Sequence, residues 1–228
     1  MRVLSVTHGP SVPGGVFDET VVASGHELDR WVVPLGRSPQ PASSYDAVMV
    51  FGGSMHPDQD DHFSWLVREE EFLHEVLRQE IPAFGVCLGA QMLARAAGAK
   101  VGPASEPEIG WLAVELTPDG VSDSVLGVLP SRTTVFQWHH YTFELPRNGV
   151  ELARSDVCTQ AFRLGRTWGI QFHAEVTLGM ARSWAEDDPG ELPMPAADLV
   201  TETETRIGLS NEHGRGLCAA FLDVAAHR

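Results

Sequence analysis

Residues 81–98 of the chain read IPAFGVCLGAQMLARAAG, and this stretch decides the fold. Its first six residues are apolar or small and predict a buried strand, whereas the apolar residues after Cys87 recur with helical spacing. Gly98 is a typical helix stop. Cys87 lies between Gly85 and Gly89, and such small neighbours permit the strained turn that lifts a side chain above a sheet. The stretch therefore predicts a strand, a sharp turn and a helix.

Three apolar runs rich in β-branched residues precede this stretch, and each ends at glycine, proline or polar residues, as buried parallel strands do. They are residues 2–7, 31–35 and 47–53. Helix-compatible sequence lies between them, and residues 65–80 carry apolar side chains near helical spacing. The resulting β-α-β order predicts a parallel sheet flanked by helices.

The pattern changes after Leu112, where short strand-like segments alternate with turn residues. The segments LAVEL, TVFQW, ELARS, QAFRL and TWGIQF indicate antiparallel strands added to the sheet. Helices over residues 181–186 and about 214–226 are expected to close the chain, with residues 187–197 as a solvated connection. We therefore expect an α/β fold with a mostly parallel central sheet and antiparallel additions, in a single domain over residues 1–228.

The composition narrows the classes of function. The formal net charge of −15 disfavours binding to nucleic acid or to an anionic membrane, because both need a basic face. No apolar run approaches the roughly 18 residues of a membrane span, and the first residues become polar too early for a signal peptide. We expect a cytoplasmic protein that binds neither nucleic acid nor a membrane.

The three cysteines, Cys87, Cys158 and Cys218, form neither an even disulfide set nor a C-x-x-C metal pattern, so reduced thiols are expected. We expect Cys158 and Cys218 to be inert packing residues, because a free cysteine behaves as a small hydrophobe. For Cys87 the alternatives are a buried structural residue and a nucleophile. The following helix favours the nucleophile, because its dipole stabilises a thiolate and its free N–H groups, that of Leu88 first, can bind an oxyanion.

Residues 169–176, GIQFHAEV, place a histidine and a carboxylate just after an apolar strand. From an extended chain, the side chains of His173 and Glu175 point the same way. A cysteine nucleophile needs a base that takes its proton and returns it to the leaving group, and the imidazole needs a carboxylate that fixes its tautomer. Cys87, His173 and Glu175 are therefore the candidate catalytic residues.

Two of these motifs together resemble a known family. Residues 84–94, FGVCLGAQMLA, and residues 168–176, WGIQFHAEV, resemble the class I glutamine amidotransferases, which carry a G-x-C-x-G-x-Q turn and a later F-H-x-E segment. Residues 51–55, FGGSM, resemble the strand-end Gly-Gly of the same family. The resemblance implies a flavodoxin-like fold and a Cys-His-Glu triad, with no cofactor and no metal.

The resemblance also implies roles for residues around the triad. The backbone amides of Gly53 and Leu88 would form the oxyanion hole, and Gly52 and Gln91 would bind substrate. Gln91 lies one helical turn after Cys87 on the same face. The alternative for Gln91 is an ordinary glutamine on the helix surface.

Residues 108–111, EIGW, and residues 135–146, VFQWHHYTFELP, resemble the stand-alone subgroup related to the amidotransferase domain of GMP synthase. Three residues depart from the pattern. Ser54 and Ala174 stand where the family usually has proline, and Tyr141 stands where the subgroup commonly has aspartate. These departures leave the triad side chains intact. The departure at Tyr141 is expected to affect recognition of the acceptor or docking of a partner.

Several histidines lie outside the triad. His139 and His140, beside Trp138, are interpreted as structural or partner-facing residues, with a place in the wall of the site as the alternative. His8, near the end of the first strand, is a candidate for the mouth of the site.

Residues 56–65, HPDQDDHFSW, contain three aspartates and two histidines. Their spacing is irregular, so we predict no metal site. Asp60 or Asp61 is instead expected to cap the N-terminus of the helix over residues 65–80.

The leading hypothesis is that the protein hydrolyses the side-chain amide of glutamine and that the ammonia goes to a separate synthetase or ligase subunit. The second hypothesis uses the same triad as a γ-glutamyl hydrolase on a γ-glutamyl amine or peptide, and a wider site mouth would favour it. The third is a non-catalytic regulatory subunit that retains the fold. The intact cysteine, histidine and glutamate argue against the third.

Overall fold

A computed structural model describes residues 1–10 and 12–227 of the chain. The described residues form one nine-stranded sheet with the order β2-β1-β3-β4-β9-β8-β7-β5-β6. The strands are β1 (Arg2–Thr7), β2 (Glu27–Val32), β3 (Ala47–Val50), β4 (Ala83–Val86), β5 (Val101–Leu116), β6 (Arg132–Phe143), β7 (Val150–Arg154), β8 (Thr159–Leu164) and β9 (Thr167–Ile170).

The described residues also contain six α-helices and four short 3₁₀ turns, of which two helices and one turn follow the last strand. The helices are α1 (Gly15–Ala23), α2 (Trp65–Arg78), α3 (Leu88–Ala96), α4 (Pro118–Ser122), α5 (Leu178–Asp187) and α6 (Ala196–Ala226). The 3₁₀ turns are Val33–Leu35, Ala42–Ser44, Leu126–Val128 and Pro189–Glu191. No helix among the described residues is long and apolar enough to cross a bilayer.

Strands β2, β1, β3, β4 and β9 pair in parallel, whereas β8, β7, β5 and β6 continue the sheet through antiparallel pairs. This architecture confirms the predicted α/β class with a parallel sheet, flanking helices and antiparallel additions. That residues 1–228 form a single domain stays a prediction.

Strands β1, β3, β4 and β9 are buried on both faces, because their side chains alternate between the two sides and helices cover both. On one face, Val3, Met49 and Phe84 pack with residues of α1 and α6. On the other face, Leu4, Val48 and Ala83 pack with residues of α2 and α3. A third apolar cluster joins β5 and β6 to α5 and α6, and it lies beside the cavity described below.

Several predicted elements differ from the structure in extent, and two of the differences have a clear physical cause. The closing helix predicted over residues 214–226 begins at Ala196. Its first half is polar, but it is held against β5, where Trp111 Nε1 donates to Thr203 Oγ1 at 2.9 Å. The strand predicted over residues 31–35 ends at Val32. A 3₁₀ turn over Val33–Leu35 follows, because Pro34 lacks the N–H that a continuing strand would need.

The predicted cap of α2 is wrong. Ser64 is the N-cap residue, and its side chain makes no capping hydrogen bond. The carboxylate of Asp60 instead pairs with the Arg95 guanidinium of α3, with an N–O distance of 3.0 Å. The hydrogen bond from Arg95 lowers the pKa of Asp60. The Asp60 carboxylate, which was predicted to cap α2, therefore pairs with a charged side chain of another helix.

Candidate active site

Cys87 lies at the sharp turn between β4 and α3, as residues 81–98 predict. Its backbone has φ 52° and ψ −112°, a left-handed conformation that costs a non-glycine residue about 1–3 kcal/mol. The turn packs tightly on β3, because a Cβ on Gly89 would lie 2.0 Å from the Val50 carbonyl oxygen. Only glycine fits at Gly89, and the close packing holds Cys87 in its strained conformation.

The neighbouring strand brings the base to this turn. Strands β4 and β9 pair in parallel, and the Cys87 backbone N–H donates to the Ile170 carbonyl at 2.8 Å. The chain continues from β9 to His173, whose own N–H donates to the Phe136 carbonyl at 2.8 Å. Because the carboxyl ends of adjacent parallel strands meet at one sheet edge, Cys87 and His173 become neighbours.

The three candidate catalytic side chains are in contact. His173 Nδ1 lies 2.8 Å from Glu175 Oε1, and the Glu175 side chain is fully buried. Cys87 lies close enough for its charge to act on the imidazole, and its Sγ atom is 3.8 Å from the Trp138 carbonyl oxygen. The Trp184 ring meets the imidazole edge-on at 4.8 Å. Burial lowers the pKa of His173, but the charges of Glu175 and Cys87 outweigh burial and raise the pKa to about 10. The buried carboxylate of Glu175 therefore favours the imidazolium form of His173.

The backbone of the His173 to Glu175 segment is fixed by two helices. The Val16 N–H of α1 donates to the Glu175 carbonyl at 3.0 Å. A Cβ on Gly214 of α6 would lie 2.0 Å from the Ala174 carbonyl oxygen. These contacts hold the segment at Ala174, where the family usually has the stiffer proline.

The residues with predicted oxyanion roles lie against the cysteine and histidine. Leu88 is the first residue of α3, and Gly53 follows β3; both line a cavity with Cys87. A Cβ on Gly52 would lie 3.0 Å from His173 Cε1 and 3.8 Å from Cys87 Cβ. The structure thus brings Gly52, Gly53 and Leu88 to the nucleophile, and their roles stay predictions.

Gln91 lines the same cavity but is not a surface residue. Only 3% of it is exposed. Its Nε2 atom donates to the Tyr141 carbonyl at 2.8 Å and to Gln171 Oε1 at 3.1 Å. Both amide protons are therefore engaged inside the protein, and Gln91 ties α3 to β6. Its predicted contact with substrate stays a prediction.

The cavity above Cys87 has a volume of about 420 Å³. Trp138 and Trp184 form apolar walls, and the exposed residues Asp187, Asp188 and Glu191 line its rim. Sequence reasoning assigned these acidic residues to a solvated connection and missed their place in the site. No local pattern marks them, since only the packing of α5 against β6 brings them to the opening.

His56, which lies near Ser54, contacts Tyr141 across the cavity. The rings of His56 and Tyr141 stack at 3.9 Å with an angle of 9° between their planes. His56 lies two residues after Ser54, so the loop after β3 touches the position where the subgroup commonly has aspartate. Burial, with a contribution from the nearby His140, lowers the pKa of His56.

His8 is not at the mouth of the site, so that prediction is wrong. Its side chain has no exposed surface and contacts Glu69 and the Gly52 carbonyl. Partners from two other elements bury it, and a sequence pattern does not specify such partners.

Three residues outside the triad offer potential metal ligands. Atoms of Glu108, His139 and Cys158 all lie within 4.8 Å of one another. Glu108 Oε2 accepts from Gln160 Nε2 at 2.7 Å and from Cys158 Sγ at 3.4 Å, and it lies 3.2 Å from His139 Nε2. These polar contacts by themselves account for the arrangement, and the expectation that no metal is needed stays a prediction.

The two other cysteines differ in setting. Cys218 is buried in the apolar core, as expected for a packing residue. Cys158 lies instead in the polar cluster with Glu108, so its surroundings differ from the apolar packing expected, while the raised pKa of its thiol agrees with an inert residue. The difference arises because β5 carries Glu108 to Cys158, at the start of β8, from a distant part of the sequence.

Comparison with known proteins places the chain in a family. A profile of the family described as Glutamine amidotransferase class-I matches residues 21–187, more than half of the chain. The chain belongs to the class I glutamine amidotransferase family. The resemblance that the sequence motifs indicated is therefore confirmed, including the likeness to GMP synthase amidotransferase subunits.

Individual class I amidotransferases resemble the chain over most of its length. A glutamine amidotransferase from Thermotoga maritima has a TM-score of 0.89 and 29% identity, covering 100% of this chain and 99% of that chain. The glutamine amidotransferase-like protein YfeJ of Salmonella typhimurium is 27% identical over 84% of this chain and 83% of YfeJ. A subunit of the glutamine-hydrolyzing GMP synthase of Ignicoccus hospitalis is 29% identical over 72% of this chain and 85% of its own length. Of several longer GMP synthases, the chain spans between 19% and 31%.

Iodoacetamide should label Cys87 at least about 100-fold faster than Cys158 or Cys218 at neutral pH, because the thiolate is the reactive form. Burial, with the charge of Glu108, raises the pKa of Cys158 to about 11. Burial and the charge of Asp18 raise the pKa of Cys218 to about 12. Both thiols therefore stay protonated.

Mass spectrometry of quenched samples measures the three labelling rates. Unfolded protein, in which the rates converge, is the control. Equal rates for Cys87 and Cys158 in the folded protein would contradict an activated Cys87.

Proposed function

We propose that the protein hydrolyses the side-chain amide of glutamine through a covalent thioester on Cys87. The observation that carries the proposal is the contact of Cys87, at a strained turn, with the buried pair of His173 and Glu175. This combination supplies a nucleophile, a proton carrier and a group that orients the carrier. Membership in the class I glutamine amidotransferase family supports glutamine as the substrate.

In the proposed reaction, the Cys87 thiolate attacks the carboxamide carbon of glutamine. The backbone N–H groups of Gly53 and Leu88 bind the oxyanion that forms. The imidazolium of His173 gives its proton to the nitrogen, the C–N bond breaks, and ammonia leaves. A γ-glutamyl thioester remains on Cys87.

Water completes the cycle. Neutral His173 takes a proton from the water that attacks the thioester carbon, and the C–S bond then breaks. Glutamate leaves, and the Cys87 thiolate and the His173 imidazolium are restored. Glu175 holds the ring and stabilises its positive charge throughout. No cofactor takes part in these steps.

We further propose that the ammonia passes to a separate synthetase or ligase subunit. The likeness to a protein named as one subunit of a glutamine-hydrolyzing GMP synthase supports this arrangement. A copurifying ligase that raises glutamine hydrolysis would support the proposal, and ammonia released fully to solvent in the presence of that ligase would contradict it.

A specific observation favours a second candidate function, hydrolysis of γ-glutamyl amines. The cavity of about 420 Å³ falls in the range of clefts for ligands larger than an amino acid. Its aromatic walls, Trp138 and Trp184, and its acidic rim suit a cationic amine, because carboxylates and aromatic faces both attract ammonium groups. Such an amine would leave in place of ammonia.

The substrate experiment compares glutamine with two amides that share a four-carbon chain, γ-glutamylputrescine and γ-glutamylbutylamine. The two amides differ in a terminal ammonium group. If the rim binds a cation, kcat/KM for the putrescine compound should exceed that for the butylamine compound about tenfold, since exposed charges each contribute little. Asp187→Asn/Asp188→Asn/Glu191→Gln should remove that preference. Preference for glutamine over both amides would support the first function, and equal rates for the two amides would rule out recognition of the cation.

A further inference from the structure

A second buried pair of histidine and glutamate lies behind the loop that carries Gly53. Neither His8 nor Glu69 has an exposed side chain. His8 Nε2 lies 2.9 Å from each carboxylate oxygen of Glu69, and His8 Nδ1 lies 2.9 Å from the Gly52 carbonyl oxygen. Because a carbonyl oxygen only accepts hydrogen bonds, Nδ1 must carry a proton and donate it.

Glu69 keeps that proton in place. Burial lowers the pKa of His8, but the charge of Glu69, its hydrogen bond and the backbone of Gly52 and Phe51 together outweigh burial and raise the pKa. The imidazolium has two N–H donors, one for Glu69 and one for Gly52. Trp65 and Glu69 both belong to α2, and Trp65 stacks on the His8 ring at 5.7 Å. Helix α2 thus fixes the ring in position.

The Gly52 carbonyl and the Gly53 N–H are the two ends of one peptide unit. In a trans peptide these groups point in opposite directions. His8 holds the carbonyl on its buried side, so the N–H points away from His8. Gly53 lines the cavity together with Cys87. The hydrogen bond to the carbonyl therefore directs the N–H to the cavity side.

The same peptide fits in a slot between two histidines. A Cβ on Gly53 would lie 2.9 Å from His8 Cβ, and a Cβ on Gly52 would lie 3.0 Å from His173 Cε1. Each histidine is paired with its own buried glutamate. Glycine's flexible backbone allows a rotated peptide, so some group must select one orientation.

We propose that His8, held by Glu69, is a positioning residue that keeps the Gly52–Gly53 peptide turned with its N–H toward Cys87. The inference rests on the proposed function, in which that N–H binds the oxyanion. It adds to that function a pair of residues that does not touch substrate and that assembles the oxyanion hole before substrate arrives.

The test uses two double variants that remove the buried charges in the same way. His8→Phe/Glu69→Leu replaces the pair with apolar side chains, which avoids an unpaired buried charge. His8→Asn/Glu69→Leu also removes the charges, but the Asn amide nitrogen occupies the place of Nδ1 and can donate to the Gly52 carbonyl. The variants therefore differ in the one hydrogen bond at issue.

For the Phe variant, kcat should fall about 100- to 1,000-fold, as expected for loss of one oxyanion donor, while KM changes less than about threefold. The Asn variant should keep at least about ten times the kcat of the Phe variant. Alkylation of Cys87 by iodoacetamide forms no oxyanion, so its rate should match the wild-type rate in both variants. Equal kcat values in the two variants, or alkylation that falls together with kcat, would overturn the proposal.

A crystal structure of each variant tests the proposal without activity. The Gly52 carbonyl should keep its direction in the Asn variant and rotate in the Phe variant. The same peptide orientation in both variants would overturn the proposal. If the wild-type protein hydrolyses no γ-glutamyl amide, the proposed function fails, while the two structures still decide the role of His8.

Discussion

Cys87→Ser should reduce glutamate release from glutamine by about four to six orders of magnitude, the range seen when a catalytic unit loses its nucleophile. A serine hydroxyl is scarcely ionised near neutral pH and is a much weaker nucleophile than the sulfur of a cysteine beside a base. A coupled assay for glutamate measures the rate. Circular dichroism and thermal unfolding check that the fold is retained.

Cys158→Ser is the matched control for this substitution. It makes the same chemical change in a half-buried cysteine that contacts Glu108 and lies outside the triad. Its rate should stay within a few-fold of the wild-type rate. Turnover by Cys87→Ser within tenfold of the wild type would remove Cys87 from the mechanism.

His173→Ala should lower the rate by a comparable factor, because it removes the group that carries protons to ammonia and from water. Alanine also leaves the fully buried Glu175 without its hydrogen-bond partner, which threatens the fold. His173→Asn avoids this difficulty, since its amide nitrogen can still donate to Glu175 but cannot act as a base. The Asn variant should fold like the wild type and be as inactive as the Ala variant.

The double variant Cys87→Ser/His173→Asn tests whether the two residues act as one unit. Its rate should be scarcely lower than that of either single variant, because losses within a catalytic unit are not additive. Rate losses that multiply would contradict the assignment. His140, which lines the same cavity, would then be the next candidate base, whereas His139 is buried beside Glu108.

The turn at Cys87 could be predicted because its constraints are local. Cys87 has a left-handed φ, and Gly89 approaches Val50 closely. Both features require small residues beside Cys87, and Gly85 and Gly89 lie two residues from it in the sequence. His173 and Glu175 were also found from a local motif, although a turn at residues 174–175, rather than the expected extended chain, brings their side chains together. A short motif whose geometry depends only on adjacent residues can be interpreted before the fold is known.

Other features depend on partners that are distant in the sequence. The polar first half of α6 is helical because it packs on β5 through Thr203 and Trp111, which periodicity does not encode. Asp60 pairs with Arg95 rather than capping α2. His8 lies behind the Gly52 carbonyl and not at the cavity mouth, because Glu69 supplies a buried charge there.

The sequence by itself determined the candidate residues for a cysteine-dependent site, and it determined the sharp local turn of the backbone at Cys87. Only the tertiary structure decided that β4 and β9 are neighbours, which brings Cys87 to His173. It also decided that His8 and Glu69 lie behind Gly53. The physical reason is that hydrophobic periodicity specifies only which face of an element is buried. The element that covers this face is set by strand pairing and side-chain packing between segments far apart in the chain.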